Sequence, residues 1–234
     1  MDFQIHYTKL LSQNPYFKGQ GSKKDMAFSA RDRINRAPKA LGFVDLKPTI
    51  KLTKAGKAFI NGKRSEEALL RQLLKFQLPS PYHKEAASEH GVFWVRPYLE
   101  ILRLIYELKE ITFDELMLFG MQLTDYRKFD EIVNKINDFR EGKKEYQGGY
   151  KQYFGVVLDS ELLKIFNEEI LNGKTSTRES TDTSIVKFKK TKRSNLRDYT
   201  DACFRYLIAT NLVSISHRGH SISIMSDKVN DVKF

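Results

Sequence analysis

The sequence predicts a mainly helical α+β protein, with a winged helix-turn-helix-like subdomain at each end and a helical middle. Three observations support this prediction. Apolar residues recur at three- and four-residue spacing through the middle of the chain, which is typical of amphipathic helices. Near each end, a helical pattern is followed by two short runs of alternating apolar and polar residues, which is typical of a half-buried hairpin. Positive charge is concentrated towards both ends.

Residues 29–57 carry the N-terminal pattern. Their first half predicts a short basic helix that Pro38 kinks or ends, because proline lacks an N–H and clashes with the preceding turn. Gly42 can adopt a positive φ and so end the helical part. Residues 43–46 and 49–52 then alternate as two strands. A basic helix followed at once by a small hairpin is the core of a winged helix-turn-helix, which places one helix in the DNA major groove.

The middle of the chain predicts several helices. Thr53 is expected to cap a short helix. Ser65, followed by two glutamates, begins a helix with a leucine stripe, and Pro79 ends it. Thr112 and Glu115 have the spacing of a capping box and begin another short helix. The remaining predicted helices, each with an apolar face, cover residues 96–108, 126–139 and 159–171.

The C-terminal pattern begins with the densest basic cluster of the chain, residues 187–193. Asn195 is predicted to cap a helix that ends near Ala209, and Asn211, which tolerates a left-handed conformation, stops it. A hairpin follows. We therefore predict a winged-helix-like DNA-binding unit over residues 1–85, a helical unit over 86–172, a linker or mobile loop over 173–184 and a second winged-helix-like unit over 185–234.

The net charge of +11 is unevenly distributed. Residues 1–64 carry a net charge of +10, residues 65–150 carry −3 and residues 151–234 carry +4. Two basic ends indicate a polyanionic partner that is contacted at two places, although a solubilising surface is the alternative. No apolar run approaches the roughly 20 residues of a membrane span, no secretion signal is recognisable and one cysteine excludes an internal disulfide. We therefore expect a cytoplasmic protein without a membrane partner.

Arginine and lysine side chains are the candidate DNA contacts. Arg31 and Arg33 are candidates for base reading, because the planar guanidinium fits guanine O6 and N7, unless one of them pairs with Asp32. Lysines on the first hairpin are candidates for phosphate contacts. The complete predicted set is Arg31, Arg33, Arg36, Lys39, Lys47, Lys51, Lys54, Lys57, Lys189, Lys190, Lys192, Arg193, Arg197, His217, Arg218 and His220.

The sequence does not predict a catalytic centre. Glu141 and Lys143, after an upstream aspartate, match the letters of a PD-(D/E)xK nuclease motif, but they fall at the end of an amphipathic helix, whereas the motif needs strands. No phosphate-binding glycine loop, zinc spacing or nucleophile elbow occurs. His217 and His220 lack a third ligand, so they indicate DNA contact or solvent exposure better than a metal site.

Four blocks of sequence carry a family resemblance. They are Ser29-Ala30-Arg31-Asp32-Arg33, Gly42-Phe43, residues 52–57 (Leu-Thr-Lys-Ala-Gly-Lys) and residues 69–80 (Leu-Leu-Arg-Gln-Leu-Leu-Lys-Phe-Gln-Leu-Pro-Ser). In this order they resemble the N-terminal region of AlwI-type Type IIS restriction and nicking endonucleases, most strongly over about residues 27–140. The resemblance implies winged-helix subdomains that recognise a short asymmetric DNA site, and a separate C-terminal PD-(D/E)xK domain that cuts nearby using Mg²⁺.

From this resemblance we expect the chain to be the DNA-recognition portion of such an enzyme, with the nuclease domain lying beyond Phe234. The resemblance implies no catalytic residue and no cofactor in this chain, with Mg²⁺ needed by the missing domain. The expected partners are double-stranded DNA and a nuclease domain or subunit, and the expected state is a monomer. Three alternatives remain open. A winged-helix transcription regulator would select a palindromic site as a dimer, a complete small nuclease would cut plasmid with Mg²⁺, and a protein-interaction module would not bind DNA.

Overall fold

Helices predominate in the protein and are accompanied by two small antiparallel sheets, so the predicted mainly helical α+β class is confirmed. The computed structural model describes residues 6, 9, 10, 13, 37–62, 64–80, 93–176, 182–216 and 219–232. The chain divides into two units, Met1–Phe76 and Gln77–Phe234. The four-part division given by the sequence stays a prediction. Within the described ranges, no helix is both long enough and apolar enough to cross a membrane.

The first unit contains a two-stranded hairpin between short helices. Its elements are α1 (Ala37–Ala40), β1 (Val44–Asp45), β2 (Lys51–Leu52), α2 (Lys54–Ile60) and α3 (Ser65–Lys75). The predicted positive φ at Gly42 is confirmed at 73°. Helix α1 includes Pro38 and extends to Ala40, so an end near Ala37 is wrong, and the alternative of a kink at this proline stays a prediction. The other residues of the predicted basic helix, 29–36, lie outside the described ranges.

Thr53 and Gly56 fix the hairpin against α2. The Thr53 hydroxyl donates to the Gly42 carbonyl over 2.6 Å and accepts the Gly56 N–H over 3.0 Å, which confirms the predicted cap. A Cβ at Gly56 would lie 2.1 Å from the Phe43 carbonyl oxygen, so only glycine permits this approach. The rings of Phe43 and Phe59 stack beside it with centroids 4.9 Å apart.

The second unit contains six helices and a three-stranded sheet among its described residues. The elements are α4 (Pro97–Leu108), β3 (Glu110–Thr112), α5 (Phe113–Leu118), α6 (Phe129–Glu145), α7 (Tyr150–Ile165), α8 (Asn167–Leu171), α9 (Ile185–Ile208), β4 (Val213–Ser216) and β5 (Ser221–Ile224). The strand order is β3-β5-β4, all antiparallel. Helix α4 packs on β3 and β5, whereas α9 contacts both α5 and β4.

Alternation of apolar and polar residues gives this sheet two different faces. Ile111, Ile222 and Ile215 lie opposite one another on one face, and the first two are fully buried. The other face is polar. There the hydroxyls of Ser216 and Ser221 lie 2.6 Å apart, and Ser216 also donates to the Glu110 carboxylate over 2.8 Å. These hydrogen bonds satisfy polar groups that burial would otherwise destabilise.

A partly buried ion pair joins α6 to the beginning of α5. Arg140 donates from Nε to Glu115 Oε1 over 2.7 Å, and from Nη2 to Glu115 Oε2 and the Glu110 carbonyl over 3.0 and 2.7 Å. Glu115 also accepts the Thr112 N–H, and this confirms the predicted capping box. The hydrogen bond that Arg140 donates to the Glu115 carboxylate, opposed by burial, raises the pKa of Arg140. This network fixes the register between β3, α5 and α6.

Two helices begin earlier in the chain than the sequence pattern indicated. Helix α7 begins at Tyr150, because Phe154 and Leu158 extend its buried face towards the N-terminus. Helix α9 begins at Ile185, ten residues before the predicted cap at Asn195. The Ser184 hydroxyl accepts the Lys187 N–H over 3.3 Å and caps the helix instead. The densest basic cluster of the chain is therefore helical.

Candidate nucleic-acid interface

Helix α9 has two halves of different character. Six lysines and arginines and no acidic residue fall between Ile185 and Arg197. The second half is apolar on its inner side, where Cys203, Phe204 and Leu207 are buried. The Phe204 ring meets Phe113 of α5 edge-on at 5.3 Å, so the second half is packed into the unit while the first half carries the charge.

Two lysines of the basic half point towards α7 and its C-terminal end. Lys189 Nζ lies 2.9 Å from Asp159 Oδ1. Lys192 Nζ lies 4.3 Å from the ring centroid of Phe166 and 5.0 Å from that of Phe188. The two rings meet edge-on at 5.6 Å, and Phe188 is 2% exposed. We call Lys189 and Lys192 the inward lysines, since each is held by a neighbouring helix through an ion pair or a cation–π contact.

Three other cations of the same half form the outward row: Lys190, Arg193 and Arg197. Their spacing of three and then four residues places them on one side of the helix, over a length of about 10 Å. All three are exposed. Among the residues that the structure describes, no ion pair is formed by Lys190 or Arg197, and Arg193 approaches only the Phe154 ring, at 5.9 Å. The row therefore presents three positive charges to solvent.

A hairpin follows α9, and its two strands, β4 and β5, carry no charged side chain. Asn211, at φ 53°, ends the helical segment as predicted, and Gly219, two residues before β5, has a φ of 89°. His220 at the turn is exposed, as expected for a group that contacts DNA or solvent. The predicted contacts His217 and Arg218 lie outside the described residues.

The first unit exposes a separate set of lysines. Lys47, Lys51, Lys54 and Lys57 on the hairpin and α2 are all exposed, whereas Lys39 is half-buried. Asp45 is the one acidic residue between positions 37 and 62, and its carboxylate lies 3.7 Å from Lys51 Nζ. A single carboxylate leaves this surface strongly basic. The predicted base-reading residues Arg31 and Arg33, and the predicted DNA contact Arg36, are not among those described.

The residues that match the letters of a nuclease motif do not form a metal site. Glu141 and Lys143 both lie on α6, and Glu141 accepts a hydrogen bond from Lys144 over 2.8 Å. In the described ranges, no three histidine, cysteine or acidic side chains come together to hold a metal. These residues therefore do not fit the Mg²⁺ that a PD-(D/E)xK centre requires, and we derive no cleavage step from them.

The sequence predicts every cation of the outward row as a DNA contact, but it does not predict that α9 separates the outward row from the inward lysines. With the helix start placed at Asn195, residues 187–193 had no helical phase and so could not be assigned to faces. Ser184 is a hydroxyl three residues before Lys187, and Phe188 and Lys192 are one turn apart. Those two signals could have located the helix start. Asp159 and Phe166 had no signal in the sequence, because they lie on other parts of the chain.

Comparison with known families gives one match. The family model described as AlwI restriction endonuclease matches residues 39–233, which is well over half of the chain. The match covers the first hairpin as well as α9 and the second hairpin. No curated protein matches the chain.

Proposed function

This chain belongs to the AlwI restriction endonuclease family, and we propose that it provides sequence-specific recognition of double-stranded DNA. Membership implies DNA as the partner. The further proposal is that the chain acts as the recognition portion of a Type IIS restriction or nicking endonuclease, with strand cleavage performed by a nuclease domain elsewhere.

The observation that carries the proposal is that the outward row lies on α9, the helix that leads into the second hairpin. The order α4–β3–α5, then α9–β4–β5, with β5 in the middle of the sheet, supports a winged helix-turn-helix in which α9 is the recognition helix. In such units the recognition helix enters the major groove, and the hairpin lies beside the phosphates. Arg193 and Arg197 have the planar guanidinium that fits guanine, and Lys190 adds a charge for phosphate.

The first unit supports a second DNA contact of a different kind. Its lysines lie on a two-stranded hairpin and a short helix, and lysine acts on phosphate mainly as a point charge. We propose that Lys47, Lys51, Lys54 and Lys57 contribute affinity without reading bases. Two unlike units would suit an asymmetric site bound by a monomer. The family match does not favour the alternative of a transcription regulator.

Selection from a randomised duplex library, followed by fluorescence anisotropy on the selected and a scrambled duplex, tests the proposal. We expect one asymmetric motif to be enriched. The variant K190Q/R193Q/R197Q should lower the affinity for that motif by about 100-fold or more, because each base-reading arginine supplies a factor of about ten. The slope of log affinity against log salt should also fall, by about 0.9 for each phosphate that the variant no longer neutralises.

A matched control variant distinguishes a general loss of positive charge from a loss of DNA recognition. The variant K143Q/K144Q/K151Q removes the same three charges from α6 and α7, and all three side chains are exposed. It should retain the selected site with an affinity within a few-fold of the unmodified chain, because exposed charges more than a Debye length from the duplex are screened. Equal losses in the two triple variants, or enrichment of no motif, would contradict the proposal.

A further inference from the structure

We propose that the helices inserted between α5 and α9 position the outward row, and that Asp159 and Phe166 are the positioning residues through which they act. The inserted helices are α6, α7 and α8, residues 129–171. The effect of these residues on DNA binding rests on the proposed function. Its structural part, that the basic half of α9 is held by α7, can be tested without DNA.

The basic half of α9 cannot hold its helical form by itself. Lys190 and Arg193 are like charges three residues apart, and Arg193 and Arg197 are four apart, so neighbours on the same face repel each other. Cations near a helix N-terminus are also opposed by the helix dipole. Within α9, Phe188 is the one buried residue before Thr200. Support must therefore come from another element.

Contacts with α7 supply that support along the basic half of the helix. Asp159 pairs with Lys189 at 2.9 Å, and Phe166, at the C-terminal end of α7, packs edge-on against Phe188 at 5.6 Å. Lys192 lies over both of those rings, so its charge is held against the aromatic faces. Arg193 approaches the Phe154 ring at 5.9 Å.

These contacts fix the rotation of α9 about its own axis. Lys189 and Lys192 lie on the side that faces α7, and helical spacing then turns Lys190 and Arg197 away from it, whereas Arg193 lies between the two sides and approaches the Phe154 ring. The Lys189 side chain is only 24% exposed, in contrast to the open outward row. The inward lysines, which the sequence predicted as DNA contacts, are thus proposed to orient the reading side chains instead of touching phosphate.

The variant Asp159→Asn distinguishes two possible roles of Lys189, which are to orient α9 through Asp159 or to contact phosphate. The two roles predict opposite changes in DNA affinity. If Asp159 positions α9, Asp159→Asn should weaken binding to the selected duplex about two- to fivefold, the upper part of the range expected for one partly exposed ion pair. Binding to a scrambled duplex, and the salt slope, should stay unchanged. If Lys189 contacts phosphate directly, removal of the carboxylate frees the lysine and eliminates a repulsive charge, so both duplexes should bind more tightly.

Asp198→Asn is the matched control for charge. Asp198 is exposed, follows Arg197 on α9 itself and forms no ion pair in the described part of the chain. Its replacement removes the same charge without removing a contact to α7. We expect tighter binding to both duplexes, which is opposite in sign to the effect of Asp159→Asn. Tighter binding by both variants would overturn the positioning role.

Hydrogen exchange on the free protein tests the same inference without DNA. Asp159→Asn and Phe166→Leu should speed amide exchange over residues 185–197 by about tenfold, while residues 200–208, packed on α5, keep the exchange rates of the unmodified chain. Phe166→Tyr keeps the ring and should restore slow exchange. Unchanged exchange in Asp159→Asn and Phe166→Leu would refute the positioning role. Failure of the unmodified chain to select any duplex would instead refute the proposed function, so the two failures are distinguishable.

Discussion

The two hairpins follow the same local pattern but differ in what surrounds them. Each comes after a left-handed residue, Gly42 at φ 73° or Asn211 at φ 53°. The first hairpin has two paired residues in each strand, and Leu52 is 40% exposed. The second has four, and β5 is flanked on its other side by β3. The N-terminal hairpin therefore has two strands, and the C-terminal one belongs to a sheet of three.

This difference teaches where the stability of each hairpin originates. An isolated two-stranded hairpin is marginal in water, whereas three strands with an apolar face can be stable. The first hairpin accordingly depends on its close approach to α2 at Gly56, and the second depends on the buried centre of its sheet at Ile222. We expect substitutions to affect the two regions through different mechanisms.

The largest expected effect is at the centre of the three-stranded sheet. Ile222 is 0% exposed and lies between Ile111 and Ile215, so Ile222→Ala should lower the free energy of unfolding by about 2–5 kcal/mol. Denaturant unfolding followed by the fluorescence of Trp94, the one tryptophan of the chain and part of the second unit, measures the loss. Ile50 on the first hairpin is 70% exposed, and Ile50→Ala should change the stability of the first unit, measured by amide exchange over residues 43–60, by less than about 0.5 kcal/mol. Similar losses in both variants would contradict the comparison.

A smaller effect is expected where the first hairpin meets α2. Gly56→Ala would place its Cβ 2.1 Å from the Phe43 carbonyl oxygen, and the strain should destabilise the first unit by about 1–3 kcal/mol. Faster amide exchange over residues 43–60 would report it. Gly155 in α7 has open space around its Cβ position, so Gly155→Ala should stabilise the second unit by about 0.5–1 kcal/mol. Tolerance of alanine at Gly56 would show that the hairpin does not depend on this contact.

Local signals in the sequence predicted much of the fold. The capping box of Thr112 and Glu115, the cap at Thr53 and the left-handed stops at Gly42 and Asn211 are all confirmed, because each depends on residues close together in the chain. The partner of β5 was not predictable. Strand β3 is three residues long, too short to show a period, and it pairs with residues more than a hundred positions away.

The candidate site was predicted in composition but not in arrangement. Lys190, Arg193 and Arg197 were named from charge alone, together with Lys189 and Lys192. Their division into outward and inward groups depends on the rotation of α9, which Asp159 and Phe166 fix from outside that helix. Charge patterns therefore identified the basic residues, whereas tertiary contacts decide which of them are held against a neighbouring helix and which are exposed.

The smallest expected effect concerns the alkaline stability of the second unit alone. Burial raises the pKa of the Cys203 thiol from 9.0 to about 12, and the chain has no other cysteine. Burial also raises the pKa of Tyr98. Above pH 9 the unfolded chain therefore loses protons that the folded unit keeps, so stability falls as pH rises, with the Cys203 contribution complete near pH 12.

By pH 10 the Cys203 contribution should amount to a loss of about 1 kcal/mol relative to pH 8, at 1.36 kcal/mol for each pH unit above the pKa of the unfolded thiol. Denaturant unfolding at both pH values, followed by Trp94 fluorescence, measures it. The prediction concerns the difference in the free energy of unfolding between pH 8 and pH 10. In Cys203→Ala this difference should be smaller by the Cys203 contribution, whatever the stability of the variant at pH 8. An equal fall in Cys203→Ala would assign the alkaline loss to other groups. The first unit has no cysteine, so its amide exchange rates should not change in Cys203→Ala. A change in those rates would mean that the two units do not unfold independently.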